Sequence, residues 1–130
     1  MKLRHFALLL LCGIYITACA SSYKSAKPGT VQDSKSLVGF LEDEGVILVS
    51  SGPVLQSPFT ESGTEYEVRD GGKLQIFQYG DPARAAEEAR SGGVGLHAHV
   101  YQNGPLVAVY LGNEILVQRA LSRAMGPRAY

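Results

Sequence analysis

Lys73-Leu74-Gln75-Ile76-Phe77-Gln78-Tyr79-Gly80-Asp81 and Pro105-Leu106-Val107-Ala108-Val109-Tyr110-Leu111-Gly112-Asn113 follow one plan. Gly72 matches Gly104 and Gly80 matches Gly112, both at an offset of 32 residues. Each stretch is preceded by a shorter run and a glycine-bearing turn. Tyr66-Glu67-Val68 leads into Arg69-Asp70-Gly71-Gly72, and His99-Val100-Tyr101 into Gln102-Asn103-Gly104. Glycine supplies the positive φ that tight hairpins require, so each pair reads as a hairpin.

A helix follows each hairpin. Asp81 and Asn113 are the expected N-caps, and Pro82 falls at a first helical position, where its missing N–H costs nothing. The first helix is predicted to reach about Arg90 before Ser91-Gly92-Gly93. The second is predicted to reach Met125 before Gly126-Pro127. A strand-turn-strand-helix unit therefore occurs twice.

Period-two alternation assigns faces. Leu106 and Tyr110 share one face of their strand, and Val107, Val109 and Leu111 the other, which suits a central strand. The first strands are half polar. Glu65, Glu67 and Arg69 share one face, and His97, His99 and Tyr101 the equivalent face of the second unit. Ala85, Ala86 and Ala89 line the first helix; Leu116, Val117, Ala120, Leu121 and Ala124 line the second at helical spacing. The tyrosines are expected to fill cross-strand pairs with their hydroxyls wet. Arg84 and Glu88 read as an ordinary i,i+4 pair. The fold expected is an α+β two-layer sandwich, an antiparallel sheet of four or five strands with helices packed on it. Strand order does not follow from these patterns.

Upstream, Asp33 or Ser34 can cap a short helix using Leu37, Val38, Phe40 and Leu41, ended by Gly45. Val46-Ile47-Leu48-Val49 reads as a buried strand broken by Ser50-Ser51-Gly52-Pro53, and Val54 to Gly63 as loop. One globular domain over residues 33–130 results.

The N-terminus reads as an export signal. Lys2 and Arg4 precede an uncharged apolar run, Phe6 to Ile16, far short of the roughly 20 residues that span a bilayer. The run ends in Ile16-Thr17-Ala18-Cys19, a branched apolar residue and two small ones before a cysteine, as in a bacterial lipobox. Residues 1–18 are then a cleaved lipoprotein signal peptide, Cys19 carries palmitate-type acyl chains, and residues 19–32 tether the domain to the membrane. Cleavage removes two bases and Cys12, leaving ten bases against twelve acids, a net −2, and no internal disulfide. More than one acyl chain suffices for stable anchoring. Ala20 and Ser21 lack the aspartate tied to inner-membrane retention. An extracytoplasmic site follows, on the outer membrane of a two-membrane host and otherwise on the outer leaflet of the cell membrane.

Balanced charge argues against nucleic acid as a partner. No phosphate loop, zinc-ligand spacing or nucleophile elbow occurs, and Gly92-Gly93-Val94-Gly95 follows a helix rather than a strand. Neither an enzyme nor a bound cofactor is expected. His97 and His99 could share a metal with Glu65 or Glu67 if the two first strands were neighbours, but two ligands fall short of a zinc site. No metal is assigned. His97, His99 and Tyr101 remain a candidate binding surface.

Three stretches resemble a family of small uncharacterised bacterial lipoproteins. Leu74 to Tyr79 with Asp81 and the Ala-rich Arg84–Ala89 is similar to that family's "LQVYEY-D…A…EA". Ala98 to Gly104 is similar to its "PHFY-basic-x-G", and Leu106 to Gly112 to its "LIVLYVG". Ala98 stands in place of the proline and Val100 in place of an aromatic, and tryptophan is absent. The resemblance implies a lipoprotein with this fold and no particular activity. The expectation is a membrane-anchored accessory or binding module contacting an envelope protein. A lipoprotein binding a small molecule or metal on the His97/His99/Tyr101 face is the alternative.

Overall fold

A computed structural model describes residues 31–93 and 97–129. The expected signal peptide, Cys19 and all of the proposed tether before Val31 lie outside the described residues. Val31 is already buried in the core, two residues before the expected domain boundary.

The elements run α1 (Ser34–Asp43), β1 (Leu48–Pro53), β2 (Gly63–Val68), β3 (Lys73–Gln78), α2 (Pro82–Gly92), β4 (His99–Asn103), β5 (Leu106–Leu111) and α3 (Ile115–Met125). The strands form one antiparallel sheet in the order β1-β2-β3-β5-β4. The two hairpins meet through their second strands, with Leu74 opposite Tyr110 and Phe77 opposite Val107. The α+β class, the antiparallel sheet and the two strand-turn-strand-helix units are as the sequence implies.

Helices occupy both faces of the sheet, which adds a layer to the expected two. Leu74, Ile76, Leu106, Ala108 and Tyr110 face α1 and α3, burying Leu37, Leu41, Val117 and Leu121. Phe77, Val107, Val109 and Val100 face the other way and meet Ala85 and Ala89 of α2. The cause is the central pair of strands, apolar on both sides, which must be covered twice. Full burial of one such leucine contributes about 2 kcal/mol.

The helix starts differ. Asp33 caps α1 reciprocally: its carboxylate accepts from Ser36 N–H at 2.7 Å while Ser36 Oγ lies 3.1 Å from Asp33 N. Asp81 accepts from Ala83 N–H at 3.0 Å, with Pro82 following as expected. The expected Asn113 cap is not used. The N-cap of α3 is Glu114, which makes no side-chain cap bond. Tyr110 Oη takes that region over, accepting from Glu114 N–H at 3.2 Å and donating to the Gly71 carbonyl at 2.9 Å. Gly72 makes this possible: at φ +89°, a Cβ there would sit 2.5 Å from the Leu111 carbonyl oxygen.

Two further expectations are corrected. Ser50-Ser51-Gly52-Pro53 does not end β1; it forms most of it. β1 is an edge strand with a register shift between Ser50 and Gly52, and an edge tolerates both a bulge and a proline. Val49 is accordingly 58 % exposed and Ile47 39 %, so the run Val46–Val49 is not a buried strand. Three of the four tyrosines at the sheet do not have wet hydroxyls either. Tyr79, Tyr101 and Tyr110 are buried, and each hydroxyl reaches a protein acceptor.

Candidate functional site

His97 lies exposed just before β4. His99 opens β4, half-buried, with its ring stacked on Tyr110 at 6.2 Å between centroids. Its Nδ1 is buried and has no hydrogen-bond partner among the described residues. Tyr101 is only 2 % exposed and packs beneath α3, its hydroxyl 3.5 Å from the Gln118 carbonyl. The three residues therefore do not make one open surface.

Hairpin geometry explains the discrepancy. Five residues separate the paired Glu67 and Lys73, whereas Gly104 and Pro105 alone separate the paired Asn103 and Leu106. The difference is odd, and an odd slip turns every side chain of a strand to the opposite face. Glu67 pairs with Lys73 on the α2 face. His99, its equivalent at the 32-residue offset, pairs with Tyr110 on the α1/α3 face. β3 and β5 also stand between β2 and β4. Glu65 and Glu67 thus cannot join the histidines, and no group of three metal-ligating side chains occurs among the described residues.

The sequence reading passed over a polar node at α2. Tyr79 Oη donates to Glu88 Oε2 at 2.5 Å, and Thr60 N–H donates to the same oxygen at 2.9 Å. Thr60 Oγ1 donates to Glu88 Oε1, and Arg84 reaches both Glu88 at 3.3 Å and Thr60 Oγ1 at 2.9 Å. Burial opposes ionisation of Glu88. The bonds from Thr60, Tyr79 and Arg84 outweigh it and hold the carboxyl down at about 2. Burial first, then the Glu88 carboxylate, pushes the Tyr79 hydroxyl well above its usual range. Every oxygen is satisfied internally. The node fastens the Val54–Glu61 segment over α2, where Phe59 packs on Phe77 at 4.7 Å. It is structural.

Among the described residues, two open surfaces carry exposed large apolar side chains beside polar ones. The first is the β1/β2 half of the α2 face, which α2 does not reach. Val49 pairs with Glu67, Glu67 with Lys73, and Lys73 with Leu111, so one row crosses four strands. Both apolar ends of that row are exposed, Val49 at 58 % and Leu111 at 37 %. Beside it Glu65 accepts from Lys73 Nζ and from Gln75 Nε2, each at 2.9 Å. Those two bonds, Gln75 first, hold the Glu65 carboxyl below its usual range.

The second surface is a groove of about 520 Å³ beside α3, lined by Tyr101, Ile115, Gln118, Arg119, Ser122, Arg123 and Arg128. Arg123 pairs with Glu44, the C-cap residue of α1, and Arg128 donates to the Ala98 carbonyl at 3.4 Å. Ala129 N–H donates to the Val100 carbonyl at 2.8 Å, so the C-terminal segment also covers the β4 edge.

Comparison with family models, with curated proteins and with solved structures finds no match.

Proposed function

We propose that this protein is an extracytoplasmic lipoprotein, anchored by acyl chains on Cys19, that serves as a non-catalytic accessory module for another envelope protein. The observation that carries the partner contact is the open row Val49-Glu67-Lys73-Leu111. It leaves two large apolar side chains exposed at the ends of one row, on a part of the sheet face that α2 does not cover. The lipobox-like Ile16-Thr17-Ala18-Cys19 after an eleven-residue apolar run supports the anchor. The resemblance to small bacterial lipoproteins supports the same reading. Among the described residues no helix is long and apolar enough to cross a membrane.

In-cell photocrosslinking tests this reading. A crosslinker placed at Val49 is expected to capture a defined envelope protein. The same group at Arg90, on the exposed side of α2, is expected to capture none. Cys19→Ala is expected to abolish capture, because the uncleaved and unacylated precursor does not reach the anchored position. Equal capture from both positions, or capture indifferent to Cys19→Ala, contradicts the reading.

A second reading, binding of a metal or small molecule near His97, His99 and Tyr101, is favoured by one observation, the buried and unpartnered His99 Nδ1. Zinc-dependent thermal stabilisation that is lost on His97→Ala or His99→Ala would support it, since a ligand stabilises only the state that binds it.

A further inference from the structure

We infer that the open row Val49-Glu67-Lys73-Leu111 is capped by the same row of a second copy, in a two-fold, face-to-face dimer that an envelope partner must displace. This rests on the reading above, in which that row is the partner contact.

The row is its own complement. Its order is apolar, acid, base, apolar, with one residue from each of β1, β2, β3 and β5. A two-fold axis parallel to the strands, passing between Glu67 and Lys73, sets Val49 over Leu111 of the second copy and Glu67 over its Lys73. The symmetry repeats both contacts. An axis along the row instead sets Glu67 over Glu67 and Lys73 over Lys73, which like-charge repulsion disfavours.

Glu67 lacks any other answer. It is exposed and accepts no hydrogen bond among the described residues. Glu65, in the adjoining row, already accepts from Lys73 and Gln75. The Lys73 ammonium carries three donors and spends one on Glu65, so two remain for a carboxylate brought by the opposing sheet. Nor does α2 stand in the way. Ala85 and Ala89 cluster with Phe77, Val107, Val109 and Val100, which lie one and two rows further along the same face.

The entry of the chain selects the same axis. Ser34 N–H donates to Gln78 Oε1 at 3.1 Å, and Gln78 stands opposite Leu106. The chain from the anchor therefore arrives at the end of β3 remote from Lys73. An axis parallel to the strands keeps both arrivals at one end of the dimer, where two anchors can enter one leaflet. An axis along the row would send them to opposite ends.

Four residues a side bury far less than the roughly 800 Å² per partner of a stable interface. The dimer is accordingly weak in free solution. Anchoring in one leaflet confines both copies and raises their effective concentration. Such a contact keeps Val49 and Leu111 from water and still yields to a larger partner surface.

The test places the full acylated protein in phosphatidylcholine vesicles with no other protein, under a mild oxidant. A Val49→Cys protein and a Leu111→Cys protein are compared with their equal mixture. Only the mixture is expected to give a disulfide-linked dimer. Glu67→Lys in both proteins should cut its yield about tenfold or more. Glu67→Lys in one and Lys73→Glu in the other should restore it, because each acid again faces a base, and a damaged fold would not recover in this way. No dimer from the mixture overturns the inference. So does either protein linking alone as well as the mixture, which would mean contact between like residues or between β1 edges. A yield indifferent to Glu67→Lys overturns it too. The two readings fail separately. Capture of an envelope protein at Val49 in cells, with no dimer in vesicles, removes the inference and leaves the partner. A dimer in vesicles with no such capture removes the partner and leaves the self-contact. The protein without introduced cysteines, run alongside, reports any linkage through an unacylated Cys19.

Discussion

Tyr79 Oη donates to Glu88 Oε2 at 2.5 Å, a bond that joins the end of β3 to the middle of α2. Thr60 and Arg84 complete the shell of donors around the same carboxylate. Replacing Glu88 with Ala would leave the buried Tyr79 hydroxyl without an acceptor and release the Thr60 segment. The expected loss is about 2 kcal/mol in urea unfolding. A loss below about 0.5 kcal/mol would mean that the node does not hold the segment.

The same group sets an acid limit on stability. The folded carboxyl sits at about 2, below its ordinary value of 4.5. A depressed carboxyl contributes fully above the unfolded value and loses that contribution as pH falls through the folded one. Stability is therefore expected to drop between about pH 4.5 and pH 2 in the natural protein. Glu88→Gln, which cannot titrate, should show a shallower drop over that window. Parallel urea midpoints against pH would reveal the difference, and coincident slopes would contradict it.

Tyr110 is the fastener at the opposite end of the sheet. Its hydroxyl joins the β2–β3 turn at Gly71 to the start of α3 at Glu114. Tyr110→Phe is expected to cost about 1 kcal/mol and to raise amide exchange chiefly in the first turn of α3. Gly72→Ala should cost about 3 kcal/mol, since the residue combines positive φ with a close approach to the Leu111 carbonyl.

The two later helices should respond differently at their caps. Asp81→Ala removes a bond to Ala83 N–H and is expected to cost about 1 kcal/mol. Asn113→Ala is expected to change stability by less than about 0.5 kcal/mol, because the N-cap is Glu114. Thermal midpoints of the two variants, measured side by side, check both statements.

Much of this architecture was legible in particular residues. Val107 and Val109 against Leu106 and Tyr110 mark β5 as apolar on both sides, hence central and covered twice. Asp81-Pro82 marks the start of α2 without ambiguity. Other features depend on relations that no single segment contains. The unequal turns of the two hairpins invert β4 relative to β2, so His99 and Tyr101 turn inward although their spacing matches that of Glu67 and Arg69. β1 survives Ser-Ser-Gly-Pro because it is an edge, and edge status is a property of the whole sheet. The open row Val49-Glu67-Lys73-Leu111 draws one residue from each of four strands, and only the assembled sheet brings them into line.

The anchor is the claim on which the functional reading turns, and the intact mass of the mature protein tests it most directly. Extracted from bacterial membranes in detergent, the chain is expected to begin at Cys19 and to carry the added mass of its acyl chains. Cys19→Ala is expected to remain uncleaved and unacylated. A mature chain that starts elsewhere, or a Cys19 without lipid, would contradict the account.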